Sequence, residues 1–307
     1  MKYKEVQACL RVYLVAAFLI IRELILDWLY FEDYEKQLNA STLTAKNKWA
    51  LVTGANGTIG QEIVKNLLRL GYNVHAFVHQ QPDGTNNEEN LIYHNVDLMK
   101  TGQILKIVET IDCTNLDLVV LSAGVMLVEQ PFDDVENHME VNVTSQVLLA
   151  EVLREKCAKT TRFVFLSSAA GRAAEVEITS KKSVLATYDG PYSAYAFSKL
   201  ALSVYVKEAV KRRNWDAITL HPGTVPGGLY QHANFLVKLA NQHVLPYVLR
   251  SAYKSSVLVL LTALAKDFRS GEYYEEMKIA DCYDYLTERE ATIVYDSIQD
   301  YVDGCLR

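Results

Sequence analysis

W-A-L-V-T-G-A-N-G-T-I-G, residues 49–60, joins a short apolar run to a glycine-rich turn. Trp49 to Thr53 is a short apolar run that stops at a glycine, which reads as a buried strand. Glycines at 54, 57 and 60 lead into T-I-G-Q-E-I-V-K-N-L-L-R-L (58–70), whose apolar spacing is helical and which ends at Gly71. A strand turning through glycines straight into a helix leaves free N–H groups and the positive end of the helix dipole facing out of the turn. Such a turn suits phosphate groups. Composition alone would fit any Gly-rich βα turn; the position after the first buried strand gives the motif its weight.

Outward from this turn the same alternation continues. Strands are expected at 73–78, 91–96, 116–121, 162–167 and 217–220, with a short one near 272–274. Helices are expected at 101–111, 134–157, 192–213, 230–250, 252–266 and 287–302. Near-continuous apolar strands alternating with helices mean a parallel sheet covered on both faces. The expected fold is α/β: a single Rossmann-type doubly wound parallel sheet with helices on both faces, plus an N-terminal apolar helix. Residues 47–307 form the nucleotide-binding domain with a built-in substrate loop at 224–250, and residues 1–38 form a separate N-terminal segment.

Of the 307 residues 50% are hydrophobic and 10% aromatic, enough for a core and too many for a disordered chain. The net charge of −6 argues against a nucleic-acid partner, which calls for a basic surplus. Cys9, Cys113, Cys157, Cys282 and Cys305 are scattered with no C-x-x-C pair, as reduced thiols rather than a disulfide frame or a zinc site. His221, His232 and His243 have no metal-ligand spacing, so no metal is expected.

Residues 9–31 stand apart. The uninterrupted apolar run, Val12 to Ile21, is too short to span a bilayer, and extending it to Phe31 buries Arg22, Glu23 and Asp27 in hydrocarbon. On a helical wheel Lys4, Arg11 and Arg22 share one line, Glu23 and Asp27 another, and the rest is apolar. Such a helix suits a membrane interface, with Trp28 and Tyr30 at the headgroups; packing on the body or in a homodimer is the competing reading. Residues 35–47 read as a polar linker, so cutting residues 1–35 away is expected to leave a folded, soluble domain. Two glycosylation sequons begin at Asn56 and Asn142, inside the proposed site, and a third begins at Asn39. With the unpaired cysteines, they favour a membrane-associated enzyme facing the cytosol, a soluble cytoplasmic one being the alternative.

Dinucleotide enzymes often carry an acid about 20 residues past the glycine turn, on the ribose 2′-hydroxyl. Here that region reads F-V-H-Q-Q-P, with His79 and no acid before Asp83. The missing carboxylate leans toward NADP(H), with NAD(H) left open.

The remaining motifs fall in a familiar order: Asp97 in N-V-D-L, L-S-A-G (121–124), V-N-V-T (141–144), F-L-S-S-A-A-G (165–171), Y-A-F-S-K (195–199) and H-P-G-T-V (221–225). From about Lys48 to Lys278 the chain resembles the short-chain dehydrogenase/reductase family, and S-G-E-Y-Y near 270 resembles its retinol-dehydrogenase-like and WW-domain oxidoreductase-like members. Thr58 departs from the common glycine spacing and resembles the family's extended branch; Ser122 replaces the usual Asn; T-V-P-G-G follows Pro222 and Gly223.

The resemblance implies Tyr195 as general acid/base, Lys199 as its helper, Ser168 as partner of the substrate oxygen and Asn142 in a water relay. It implies cofactor contacts from Thr53, Gly54, Asn56, Gly57, Thr58, Ile59, Gly60, His79, Asp97, Ser122, Ala123, Gly124, Tyr195, Lys199, Pro222, Gly223 and Val225. Physically, Tyr195 and Lys199 stand at i and i+4 on one helix face, and a nearby cation lowers a phenol pKa of ~10. Ser167 competes with Ser168, and Y-E-E-M-K (274–278) repeats the Tyr/Lys spacing by chance on the surface. The apolar stretch 229–250 and the apolar N-terminus imply a small lipophilic alcohol, ketone or aldehyde: retinoid-, steroid- or lipid-like. Two rival readings remain: a weak or inactive cofactor-binding scaffold, and an epimerase or dehydratase suggested by the loop spacing.

Overall fold

A computed structural model describes residues 3–40, 48–81, 89–129, 132–233, 235–283 and 285–307. The chain opens with α1 (Tyr3–Ala40), then β1 (Trp49–Thr53), α2 (Thr58–Leu70), β2 (Asn73–Val78), β3 (Leu91–Asn95), α3 (Thr101–Thr110) and β4 (Leu116–Leu121). α4 (Asn137–Met139) passes through one π turn, Glu140–Thr144, into α5 (Ser145–Lys156). β5 (Arg162–Leu166), α6 (Lys181–Leu185), α7 (Pro191–Arg213) and β6 (Ala217–His221) follow. The chain closes with α8 (Phe235–His243), α9 (Leu245–Val248), α10 (Ala252–Leu264), β7 (Tyr273–Glu275), β8 (Lys278–Ile279) and α11 (Glu288–Cys305).

Among the described residues the strands form one sheet in the order β3-β2-β1-β4-β5-β6-β7-β8, parallel except for the last pair. Side chains alternate across it. Leu51, Val119, Phe163 and Phe165 pack on one face with residues of α3, α5, α7 and α11. Ala50, Val52, Val120, Val164 and Ile218 pack on the other with α2 and α10. The chain winds outward from β1 to β3 and then restarts at β4 on the other side of β1. That reversal opens a crevice at the carboxyl ends of β1 and β4, where open α/β sheets bind ligands.

Four expectations from the sequence differ in the structure. The helix expected over 134–157 starts at Asn137, because Glu136 caps it and accepts from the N–H groups of His138 and Met139. The helix expected over 230–250 is broken between α8 and α9, where Pro246 supplies no N–H. The linker expected over 35–47 is helical through Ala40; residues 41–47 lie outside the described residues. Tyr274 is not a surface residue: it is buried in β7, and its hydroxyl accepts from the Arg269 N–H at 2.6 Å. Lys278 belongs to β8, so the second Tyr/Lys spacing pairs nothing on a helix.

α1 is packed inside out. Its buried positions, Glu5, Ala8, Val12, Leu19, Glu23 and Asp27, recur at helical spacing and include three acids. Three of its basic residues reach the body: Lys4 lies 3.3 Å from Asp189, Arg22 lies 3.3 Å from Glu275, and Arg11 pairs with Glu175. Solvent receives Leu10, Leu14, Phe18, Ile21, Ile25 and Trp28, the last 83% exposed. Among the described residues no helix is long and apolar enough to cross a membrane.

Candidate active site

A cavity of about 750 Å³ opens where β1, β4, β5 and β6 end. The glycine turn forms one end. A Cβ on Gly60 would sit 2.2 Å from the Gly54 carbonyl oxygen, so α2 meets β1 this closely only without a side chain there. Gly57 offers α2 no side-chain cap, which leaves its first N–H groups free for an anion in the cavity. Asn56, Thr58 and Ile59 complete this wall, with Asn56 Nδ2 donating to the Gln80 carbonyl at 3.0 Å. Thr58, the departure from the common spacing, accepts from the Gly228 N–H at 3.1 Å and ties the loop after β6 over the turn.

Ser122, Ala123 and Gly124 line the cavity after β4, and Pro222, Gly223 and Val225 after β6. Thr53 lies beneath, accepting from the Ala123 N–H at 3.1 Å and donating to Gln146. His79 and Asp97 stand at the rim, 4.0 Å apart. The free helix terminus, the close backbone crossing and the elongated cavity fit a dinucleotide.

At the other end Ser168 and Tyr195 line the cavity, with the Ser168 side chain near enough to favour the ionised form of the phenol. Ser168 follows β5 and is half-buried; Tyr195, on α7, is buried. Ser167 turns away from this pair. Its hydroxyl donates to the Lys199 carbonyl at 2.8 Å and meets Ser203 Oγ at 2.9 Å, which leaves the exposed chemistry to its neighbour.

Lys199 lies below the cavity wall, its Nζ donating to the Leu166 carbonyl at 3.0 Å and 5.9 Å from the Tyr195 ring centre. Burial pushes the Tyr195 phenol up to about 12, against the influence of Ser168, and pushes Lys199 down to about 8. The lowering of Tyr195 expected from the i,i+4 cation is not found; desolvation sets the direction of the shift. Asn142 is fully buried in the π turn: Oδ1 accepts from the Val125 N–H at 2.8 Å, and Nδ2 donates to the Val125 carbonyl and to Ser198 Oγ, each at 3.0 Å. These contacts brace the segment after β4.

The sequence reading missed what α1 does here. Val12, Val15, Ala16 and Leu19 line the cavity. Buried Glu5 accepts from the Tyr192 N–H at 3.0 Å, capping the catalytic helix α7, whose own N-cap is Gly190. Gly190 has φ +136°, and a Cβ there would meet the Glu5 carboxylate, so glycine and foreign cap belong together. Glu23 accepts from the Thr224 N–H at 2.8 Å and meets His221 Nε2 at 3.2 Å. Burial raises the Glu23 carboxyl, but the hydrogen bond from His221 and the charges of His221 and Arg250 leave it below its ordinary value. His221 thus lines the cavity as an anchor for α1. Only the helical spacing of Glu5, Glu23 and Asp27 with buried apolar positions could have signalled this face.

Residues 50–268 match the family model described as the NAD dependent epimerase/dehydratase family. Retinol dehydrogenase 12 of Bos taurus is 29% identical over 255 residues, 75% of this chain and 78% of that protein. Polyprenol dehydrogenase of Danio rerio is 25% identical over 265 residues, 78% of this chain and 81% of that one. The solved short-chain dehydrogenase/reductase from Serratia marcescens superposes with a TM-score of 0.57 at 20% identity, covering 74% of this chain and 95% of its own. At that identity the likeness speaks for the fold alone.

Proposed function

Because the chain belongs to the NAD dependent epimerase/dehydratase family, and is an oxidoreductase of the short-chain dehydrogenase/reductase type acting on CH–OH or carbonyl groups, we propose that its substrate is a small lipophilic alcohol, aldehyde or ketone and its favoured cofactor NADP(H). The observation that carries this reading is the placement of Ser168 and Tyr195 together at one end of a cavity whose other end is a glycine turn at a free helix terminus. Nicotinamide, when bound, supplies or accepts the hydride. Tyr195 moves the proton at the substrate oxygen; with its pKa at about 12 it holds that proton at neutral pH and can donate to a carbonyl. Ser168 orients the same oxygen and donates as charge develops on it. Lys199, at about 8, is mostly cationic at pH 7 and supports both from below.

Retinol and polyprenol, for which the relatives are named, are apolar alcohols, and the wall near Tyr195 carries Met126, Leu229 and Tyr230 beside α1. A panel of lipophilic alcohols, aldehydes and ketones assayed with both nicotinamide cofactors tests the reading. Tight cofactor binding with no turnover on any member would favour the inactive scaffold. The irregular glycine spacing is no argument for that scaffold, since Thr58 has a structural task in holding Gly228.

Cofactor choice rests on His79 and its surroundings. Beyond the rim a second groove carries Gln80, Lys100, Gln103 and Lys106, while Asp97, its one carboxylate among the described residues, accepts from the Met99 N–H at 3.1 Å and lies 3.5 Å from Lys100 Nζ. Such a groove suits a 2′-phosphate. His79→Asp should shift the NADP(H)/NAD(H) ratio of kcat/KM toward NAD(H) by roughly tenfold or more, because a carboxylate repels the phosphate. A parent enzyme that already prefers NADH would sink the assignment.

The outer face of α1 is read as lying on a cytosol-facing lipid surface. Lys4, Arg11 and Arg22 pair with residues of the body, and Glu5, Glu23 and Asp27 are buried, so the exposed stripe of Leu10, Leu14, Phe18, Ile21, Ile25 and Trp28 carries no charge. The protein should co-sediment with phosphatidylcholine vesicles, and Phe18→Asp combined with Trp28→Asp should cut the bound fraction about tenfold. A parent that stays in the supernatant, as monomer or dimer, argues against the membrane.

A further inference from the structure

We propose that α1 is the substrate-side wall of the active site, and that the face formed by Val12, Val15, Ala16 and Leu19 sets which apolar tails the enzyme accepts. These positions are i, i+3, i+4 and i+7, one face of a helix, and all four line the cavity that holds Ser168 and Tyr195. The face runs about 10 Å at 1.5 Å per residue. Two carboxylates fix its ends. On one side Glu5 caps α7 three residues before Tyr195, and Tyr13 Oη meets Tyr192 Oη at 3.0 Å. On the other side Glu23 grips Thr224 and His221 on the loop after β6. Between the clamps α1 packs on the turn that follows Ser168, so it crosses the mouth of the crevice from the catalytic helix to the cofactor loop.

The chemistry of this window selects its ligand. The charged residues of α1 bracket the window without entering it, and its four side chains are aliphatic, so a charged or hydroxylated tail would be desolvated there without a partner. A carbonyl or alcohol oxygen held at Ser168 and Tyr195 directs the rest of the substrate along this wall. The fitting substrate therefore has one polar oxygen and an uncharged aliphatic or polyene tail long enough to run the full length of the window. This deepens the oxidoreductase reading and rests on it for turnover, although the location of the tail can be read without turnover.

Two measurements separate them. A long-chain primary alcohol bearing a diazirine at its far end, photolysed on the full-length protein with NADPH, should label residues 12–19, as mapped by peptide mass spectrometry. Label confined to residues 229–248, or no specific label, overturns the proposal. Label on α1 without turnover of any alcohol or aldehyde leaves the wall standing and removes the oxidoreductase reading. In the kinetic arm, Ala16→Phe should raise KM for a sixteen-carbon aldehyde about tenfold or more, within the range set by one or two methylene-sized contacts. KM for hexanal and the affinity for NADPH, read by its fluorescence, should change less than about twofold. Leu19→Ala should move the preferred tail length the opposite way. A parallel rise for both aldehydes in Ala16→Phe would mean a general disturbance of the site, and no change for either would place the tail elsewhere; each result overturns the assignment.

Discussion

Tyr195→Phe is expected to lower turnover at least ~100-fold, about 2.7 kcal/mol of barrier, while the affinity for the nicotinamide cofactor stays within about twofold. The phenol lies beside the Ser168 side chain at the reacting end of the cavity. Removing its oxygen removes the proton carrier but leaves the ring, which is buried against the core, in place. Folding should therefore survive, and the loss should appear in kcat rather than in KM. Tyr274→Phe is the control: it removes one buried hydroxyl contact, to Arg269, away from the cavity. Near-normal turnover of Tyr195→Phe on a substrate the parent reduces would end the assignment. A fall equal to that of Tyr274→Phe would do the same, by tracing the effect to stability.

What could be read in the sequence was what repeats locally. The strand at 49–53, the glycine turn and the helix at 58–70 stand where their spacing puts them, because strand burial, glycine geometry and helix periodicity act over a few residues. The meeting of Ser168 with Tyr195 was legible only through resemblance, since the two side chains come from β5 and α7 and no local rule joins them. The choice of Ser168 over Ser167 likewise came from resemblance, and its physical reason lies in the coordinates: the Ser167 hydroxyl is held by Lys199 and Ser203. α1 was legible as a helix and illegible in its orientation. A pattern reading assigns acids to solvent and leucines to the interior, whereas here Glu5, Glu23 and Asp27 face inward because Tyr192, Thr224, His221 and Arg250 await them. Those partners lie 187 to 223 residues away, beyond any periodicity.

Arg250→Ala is expected to lower the unfolding free energy by about 3–5 kcal/mol, the largest stability effect of a single change on this contact. Arg250 is 1% exposed in its side chain and stands between two buried carboxylates. It donates to Asp27 of α1 from Nε at 3.2 Å and Nη2 at 2.9 Å, and to Glu276 from Nη1 at 2.6 Å and Nη2 at 3.1 Å. Glu276 sits at φ +50° in the turn between β7 and β8, a backbone cost that the arginine contact offsets. Removing the guanidinium leaves the buried Glu276 carboxylate without its cation and Asp27 with only Lys254, 3.8 Å away, and frees α1 and the turn together. Asp27→Asn should cost less, about 1–2 kcal/mol, because Arg250 keeps its bidentate bond to Glu276. The order of the two variants in urea midpoint, at unchanged m-value, is the test. Equal effects would mean that the charge balance is not what matters, and a small effect of Arg250→Ala would mean that α1 docks weakly. The same contact bears on cutting away residues 1–35: the cut removes Asp27 from Arg250, Glu23 from His221 and Thr224, and the cap from α7 in one step. The expected product is a destabilised domain with an open cavity, not a soluble enzyme freed of an anchor, so substitutions on the outer face of α1 are the cleaner way to separate membrane binding from catalysis.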